Sequence, residues 1–237
     1  MNNFLIFGEV LFVFSGLLVC YKLFGKQGVI TWVPIATVLA NIITAKNVNI
    51  FGLSAAIGTV MFASTFLATD ILSECYSKKD AKQAVYLGLF ADVILICATQ
   101  IALLYVPSEF DYADGAMRIL FSLNLRISIA SAVMYVIANL ADIYLFDKLR
   151  SITSGKFLWL RNNVSTILCN CLENFGFIGI AFWGIYDTKT ILTIAFSTSV
   201  VEAIVAFLDT PFLYLAVKLR GRNYENSNIK STNKSAY

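Results

Sequence analysis

Long apolar runs, broken only by short polar turns, fill most of this chain. Seven can be marked, at about residues 4–24, 29–45, 50–76, 84–106, 119–146, 157–186 and 190–217. A helix needs about 20 mostly apolar residues to cross a bilayer, and the runs have that length. Strands of a membrane barrel would alternate apolar and polar residues, whereas these runs are continuous. The pattern predicts an all-α fold, a polytopic membrane protein of about seven transmembrane helices. Residues 1–217 are expected to form a single transmembrane domain, and 218–237 a polar, disordered cytoplasmic tail.

Charge placement tests that count. Seven passes put alternate turns on opposite sides of the membrane. One side then receives Lys22, Lys26, Lys78, Lys79, Lys82, Lys148, Arg150, Lys156, Arg161, Lys218, Arg220, Arg222, Lys230 and Lys234, fourteen of the eighteen basic residues. The other receives Lys46, Arg118 and Lys189 with the acidic turn Glu109, Asp111 and Asp114. Lys and Arg favour the cytoplasmic side, so the N-terminus is expected outside and the C-terminus inside, in a plasma or inner membrane. Six or eight passes would mix the two groups. The net charge of +3 is then a topology signal. The lipid bilayer is the expected partner, and nucleic acid is not.

Composition narrows the chemistry. The chain is 58% hydrophobic and 14% charged, with a mean hydropathy of +0.74; a soluble domain carries about 25% charged residues. It has no histidine, which removes the commonest general base and metal ligand. The five cysteines lie in or beside apolar runs without a CxxC pair and read as inert thiols. The opening Met-Asn-Asn-Phe has no basic region or cleavage site and reads as the start of an uncleaved first span.

Polar residues inside the runs carry the functional signal, because a charge at mid-bilayer costs about 2.5–3.5 kcal/mol. The stretch Phe66-Leu-Ala-Thr-Asp-Ile-Leu-Ser-Glu-Cys-Tyr76 places Asp70 and Glu74 on one helix face. Arg126 calls for a carboxylate, Asp70, Glu74 or Asp142, or for an anionic ligand; Ser131 and Tyr135 lie beside its stripe. Asn139 with Asp142, and Asn170 with Glu173 and Asn174, form polar faces. Glu202 and Asp209 share a side two turns apart, and Asp209-Thr-Pro211 reads as a local break or kink. Glu9 and Asp92 read as helix-end or packing features, and Trp32, Trp159 and Trp183 as interfacial belt residues, with stacking on a ligand the alternative for Trp159 beside the polar half of the sixth run. The candidate substrate-binding residues are Asp70, Glu74, Arg126, Tyr135, Asp142, Asn170, Glu173, Glu202 and Asp209. No catalytic residue, metal site or cofactor is expected. A central cavity lined by these acids and amides suits a planar ligand rich in hydrogen-bond donors, or a cation.

These motifs resemble the queuosine-precursor transporter family, also called the vitamin uptake transporter family. The resemblance covers about residues 41–214. It rests on Asn41 with Lys46, the Phe66–Tyr76 stretch with Lys78-Lys79, Arg126-Ile-Ser-Ile-Ala-Ser-Ala, Asp142-Ile-Tyr-Leu-Phe-Asp-Lys-Leu-Arg150, Ser165-Thr166 with Asn170 and Glu173, and Leu208-Asp-Thr-Pro-Phe212. It implies a six-helix core preceded by an extra N-terminal helix. It also implies import of 7-deazaguanines (queuine, preQ1 or preQ0) for tRNA queuosine modification. Many relatives have Asp where Glu173 stands, and many have Lys where Glu202 stands. The added acid at Glu202 favours a cationic ligand such as preQ1. A substrate-binding subunit of an ATP-energised vitamin-type uptake system is the alternative. An enzyme is disfavoured by the missing histidine, a cation channel would need an oligomeric ring of acids, and a homodimer is left open.

Overall fold

The computed structural model describes residues 2–121 and 125–234. Its elements in order are α1 (Asn2–Ile43), β1 (Asn47–Ile50), β2 (Leu53–Ala56), α2 (Gly58–Cys75), α3 (Lys78–Leu104), α4 (Asp114–Phe121), α5 (Leu125–Ile152), α6 (Leu158–Phe182) and α7 (Thr188–Lys234). The polar stretch from Lys218, expected to lack structure, continues α7 as far as Lys234.

The first two apolar runs are the two arms of a helical hairpin within α1. Gly25 breaks the helix with φ 58° and ψ −140°, a backbone shape that glycine adopts at little cost. The arms then fold against each other closely enough that a Cβ on Gly28 would stand 2.5 Å from the Cys20 carbonyl oxygen. Trp32 of the second arm reaches back to Gly16 of the first, and its indole N–H donates to the Ser64 hydroxyl at 2.9 Å. Trp32 is therefore a packing residue rather than part of an interfacial belt.

Residues 50–56, expected at the head of the third span, form an antiparallel β-hairpin with 47–49 instead. Phe51 and Gly52 both have positive φ, 51° and 80°, as a two-residue hairpin turn demands. Val48, Ile50 and Leu53 pack their side chains on the bundle core. The Asn2 side chain donates to the Asn49 carbonyl, and Asn3 accepts from the Phe51 N–H. The run expected at 119–146 is likewise divided into α4 and the longer α5.

Contacts sort the turns onto two ends of the bundle. At one end Lys26 pairs with Asp80 at 3.0 Å, Lys78 with Asp147 at 3.1 Å, and Arg220 donates to the Glu74 carbonyl. At the other end Asn2 meets the β-hairpin, Gln100 donates to the Phe121 carbonyl at 2.7 Å, and Arg126 donates to the carbonyls of Ile180 and Trp183. Lys26, Lys78, Arg150, Arg161 and Arg220 gather at the first end.

Five helices, α1, α3, α5, α6 and α7, are long and apolar enough to cross a bilayer. Large apolar side chains such as Phe12, Leu23, Phe90, Ile94, Phe196 and Phe207 point outward from them. The chain is a multi-pass membrane protein. α2 is different: nearly every residue from Gly58 to Cys75 is buried, its polar ones included. It is packed against α1, α3, α5 and α7. A helix hidden on all sides needs no lipid-facing stripe, which is why the helix at the centre of the bundle can carry Asp70 and Glu74.

Filling the Gly28 contact should open the hairpin. Gly28→Val is expected to cost about 1–3 kcal/mol by overpacking and to lower the melting temperature of the detergent-purified protein by several degrees. Gly8→Val, at a glycine with open space around it, should leave it unchanged.

Candidate functional site

A cavity of about 660 Å³ opens among the second arm of α1, the β-hairpin and α2, α3, α5, α6 and α7. Its polar lining comes chiefly from Asn41, Asp92, Tyr135, Glu173, Asn174 and Glu202, and its aromatic lining from Phe62, Phe177 and Phe182. Asp92 accepts a hydrogen bond from Asn41 Nδ2 at 2.6 Å, and Glu202 accepts one from Asn174 Nδ2 at 2.6 Å. Glu173 Oε2 is buried and receives no hydrogen bond from the described residues. Three carboxyl groups therefore line the cavity, and no Lys or Arg does among the described residues. The lining is rich in acceptors and suits a ligand with donors to offer.

The aromatic wall depends on a missing side chain. A Cβ on Gly88 of α3 would stand 2.1 Å from the Tyr135 hydroxyl, so only glycine lets that phenol lie against α3. The Tyr135 ring meets Phe62 edge to face, with centroids 6.2 Å apart. Such pairs fix ring orientation as well as adding contact.

A second polar layer lies two helical turns away, towards the basic end. Tyr135 and Asp142 are seven residues apart on α5, Glu202 and Asp209 on α7, and Glu173 and Thr166 on α6. Seven residues make about 10 Å of helix and return to nearly the same face. Asp70, Asp142 and Asp209 are all buried. Asn162 donates to Asp209 at 2.6 Å, and Asn163 donates to the Thr210 hydroxyl at 2.7 Å. The side chains before Pro211 thus bind α6 across the bundle. Thr166 donates to Asp142 at 3.5 Å. Asn170 is buried between the two layers.

A third layer closes the basic end. Glu74 pairs with Arg161 Nη2 at 2.6 Å and more loosely with Arg150 at 3.8 Å. Arg161 is 1% exposed. It also donates to the carbonyls of Gly155 and Lys156, at 3.0 and 3.2 Å, and its guanidinium lies over the Phe146 ring. Removing one partner of such a pair leaves the other charge buried and unpaired, which costs far more than losing both.

The candidate residues thus divide between layers. Tyr135, Glu173 and Glu202 line the cavity, Asp70, Asp142 and Asp209 form the middle layer, and Glu74 belongs to the ion pair. Arg126 lies at the other end of the bundle, where it holds the end of α6 through the Ile180 and Trp183 carbonyls at 2.5 and 2.8 Å. The buried arginine that meets an acid is Arg161. Asp92, taken for a packing feature, is a lining residue, as are Asn41 and the aromatics Phe62 and Phe177. An acid midway along an apolar run, as Asp92 is, was the available signal.

The sequence matches the family model described as a putative vitamin uptake transporter over residues 56–216. A Bacillus subtilis protein named probable queuosine precursor transporter is 35% identical over 219 residues, 92% of this chain and 95% of its own length. A Haemophilus influenzae protein of the same name is 30% identical over 57% of this chain and 55% of its own. The queuosine precursor transporter of Escherichia coli is 26% identical over 61% of this chain and 62% of its own. No solved structure matches the chain.

The ion pair has a measurable signature. Arg161→Met should destabilise the purified protein, by up to about 3–5 kcal/mol, by leaving Glu74 with only the looser Arg150 contact. Adding Glu74→Gln should recover most of that loss. Additive losses in a thermal-stability double-mutant cycle would show that the two side chains do not act as a pair.

Proposed function

The chain belongs to the putative vitamin uptake transporter family, and we propose that it imports queuosine precursors across the plasma membrane. The names borne by its relatives support the substrate class. The observation in this chain that carries the reading is the acceptor-lined, aromatic-walled cavity, whose volume of about 660 Å³ is in the ordinary range for small-ligand pockets. A 7-deazaguanine has a flat ring and an edge of adjacent N–H donors. A carboxylate accepts two such donors side by side, and an aromatic ring packs against the flat face. Glu173, whose Oε2 has no donor among the described residues, takes the guanine edge in this reading. Phe62, Tyr135 and Phe177 bound its face. Glu202 and Asp92 then stand where an aminomethyl substituent would place a positive charge, which favours preQ1 over the neutral preQ0.

The same reading orients the molecule. Seven spans, counting the two arms of α1 and the enclosed α2, put the basic end in the cytoplasm by the positive-inside rule. The cavity, bounded by the β-hairpin at the other end, then faces outward. Substrate enters from outside, and the Glu74–Arg161 pair closes the cytoplasmic side. Import requires that pair to open while the hairpin side closes.

Uptake by a cell that cannot make queuosine precursors and lacks its own importer tests this. Wild-type protein should restore queuosine in tRNA when preQ1 or queuine is supplied. Glu173→Gln should reduce uptake more than tenfold at equal membrane abundance, since an amide cannot accept both donors. Undiminished uptake by that variant would remove Glu173 from the site. Gly88→Ala should also lower uptake, by displacing the Tyr135 hydroxyl.

A further inference from the structure

The middle layer contains more hydrogen-bond acceptors than donors. Asp70 lies near the middle of the buried face of α2, fully enclosed, and neither of its carboxyl oxygens receives a hydrogen bond from the described N–H and O–H donors. Asp142 Oδ2, Asn139 Oδ1 and Asn162 Oδ1 are buried and equally unserved. Phe66 of α2 and Ala138 of α5, one turn before Asp70 and Asp142 respectively, pack in one buried cluster with Cys169 of α6, which sets the two acids side by side, with Asp209 of α7 and Glu74 of α2 farther off. On α1 and α3, which also pack on α2, Lys26 is paired with Asp80 and Asp92 is held by Asn41. The nearby guanidinium of Arg161 is held by Glu74.

Two ionised carboxylates are both acceptors and cannot bond to each other. Side by side in a dry interior, they need a hydrogen between them. A metal cation would answer the same need, but no group of acids converges closely enough to hold one among the described residues. The pair is two turns from the cavity, about 10 Å, and Asp70 is one turn from Glu74, about 6 Å. It stands between the ligand pocket and the closed end.

We propose that Asp70 and Asp142 together bind one proton and form the coupling site through which a proton gradient drives uptake, separate from the substrate cavity. This rests on the reading of the chain as an importer. The pair gains the proton from the cavity side, its formal charge passing from −2 to −1, and releases it towards the basic end once the Glu74–Arg161 pair opens. No electron is transferred and no covalent bond other than O–H changes.

The test uses purified full-length protein in liposomes with labelled preQ0, which is neutral, so that a pH gradient cannot accumulate it by charge alone. Wild type should concentrate preQ0 when the outside is more acidic, up to about tenfold per pH unit for one proton per molecule. A sodium gradient should not replace the proton gradient. Asp70→Asn and Asp142→Asn should abolish accumulation but retain counterflow, the exchange of labelled for unlabelled preQ0. Counterflow also shows that the variants fold. Wild-type protein that carries out counterflow but does not accumulate preQ0 under the proton gradient would overturn the proposal, as would accumulation by either variant. Infrared spectra without substrate separate this failure from failure of the importer reading. The wild type should show a protonated-carboxyl band that Asp70→Asn lacks, and absence of that difference would overturn the shared proton whatever the substrate.

Discussion

The structure is organised by the difficulty of placing carboxylates inside a bilayer. Each would cost about 2.5–3.5 kcal/mol at mid-membrane if it faced lipid. The chain meets this by enclosing α2, the helix with Asp70 and Glu74, behind the apolar arms of α1 and behind α3, α5 and α7. The outer helices take the lipid contact, so the inner faces are free to carry acids and amides. Their mutual satisfaction, through Asn41 with Asp92, Asn174 with Glu202, Asn162 with Asp209 and Arg161 with Glu74, holds the interior together.

The three layers follow from that enclosure. Helices α5, α6 and α7 present polar residues at a spacing of seven, so one face serves both the cavity and the middle layer. Glu74 adds the last layer on α2, one turn beyond Asp70. A path through the protein then runs from an acceptor-lined pocket, past a set of acids short of donors, to a buried ion pair. In this account each layer has a separate task, with the ligand bound in the first, the driving ion in the second and passage closed by the third.

Much of this was legible in the sequence because charge is conspicuous against an apolar background. Asp70, Glu74, Asp142, Glu173, Glu202 and Asp209 stood out for that reason, and the sidedness of the lysines marked the two ends. What sequence could not show was which partner each group would choose. Arg126 and Arg161 both lie in apolar runs, yet α6 brings Arg161 to Glu74 while Arg126 holds the Ile180 and Trp183 carbonyls at the opposite end. The β-hairpin was hidden because Ile-Phe-Gly-Leu-Ser-Ala-Ala reads as the head of a helix until the positive φ angles at Phe51 and Gly52 reverse the chain. Asp92 looked peripheral because its neighbours on α3 are apolar and its partner Asn41 lies on another helix.

The central claim is that the cavity is an outward-facing substrate site. Labelling of a cysteine placed in it tests this most directly. Ser197, a lining residue on α7, would be changed to Cys after replacement of the five native cysteines, and intact cells exposed to a thiol reagent that cannot cross membranes. The account predicts labelling from outside, slowed by added preQ1 or queuine in proportion to occupancy. Labelling only from the cytoplasmic side, or labelling that saturating precursor leaves unchanged, would contradict it.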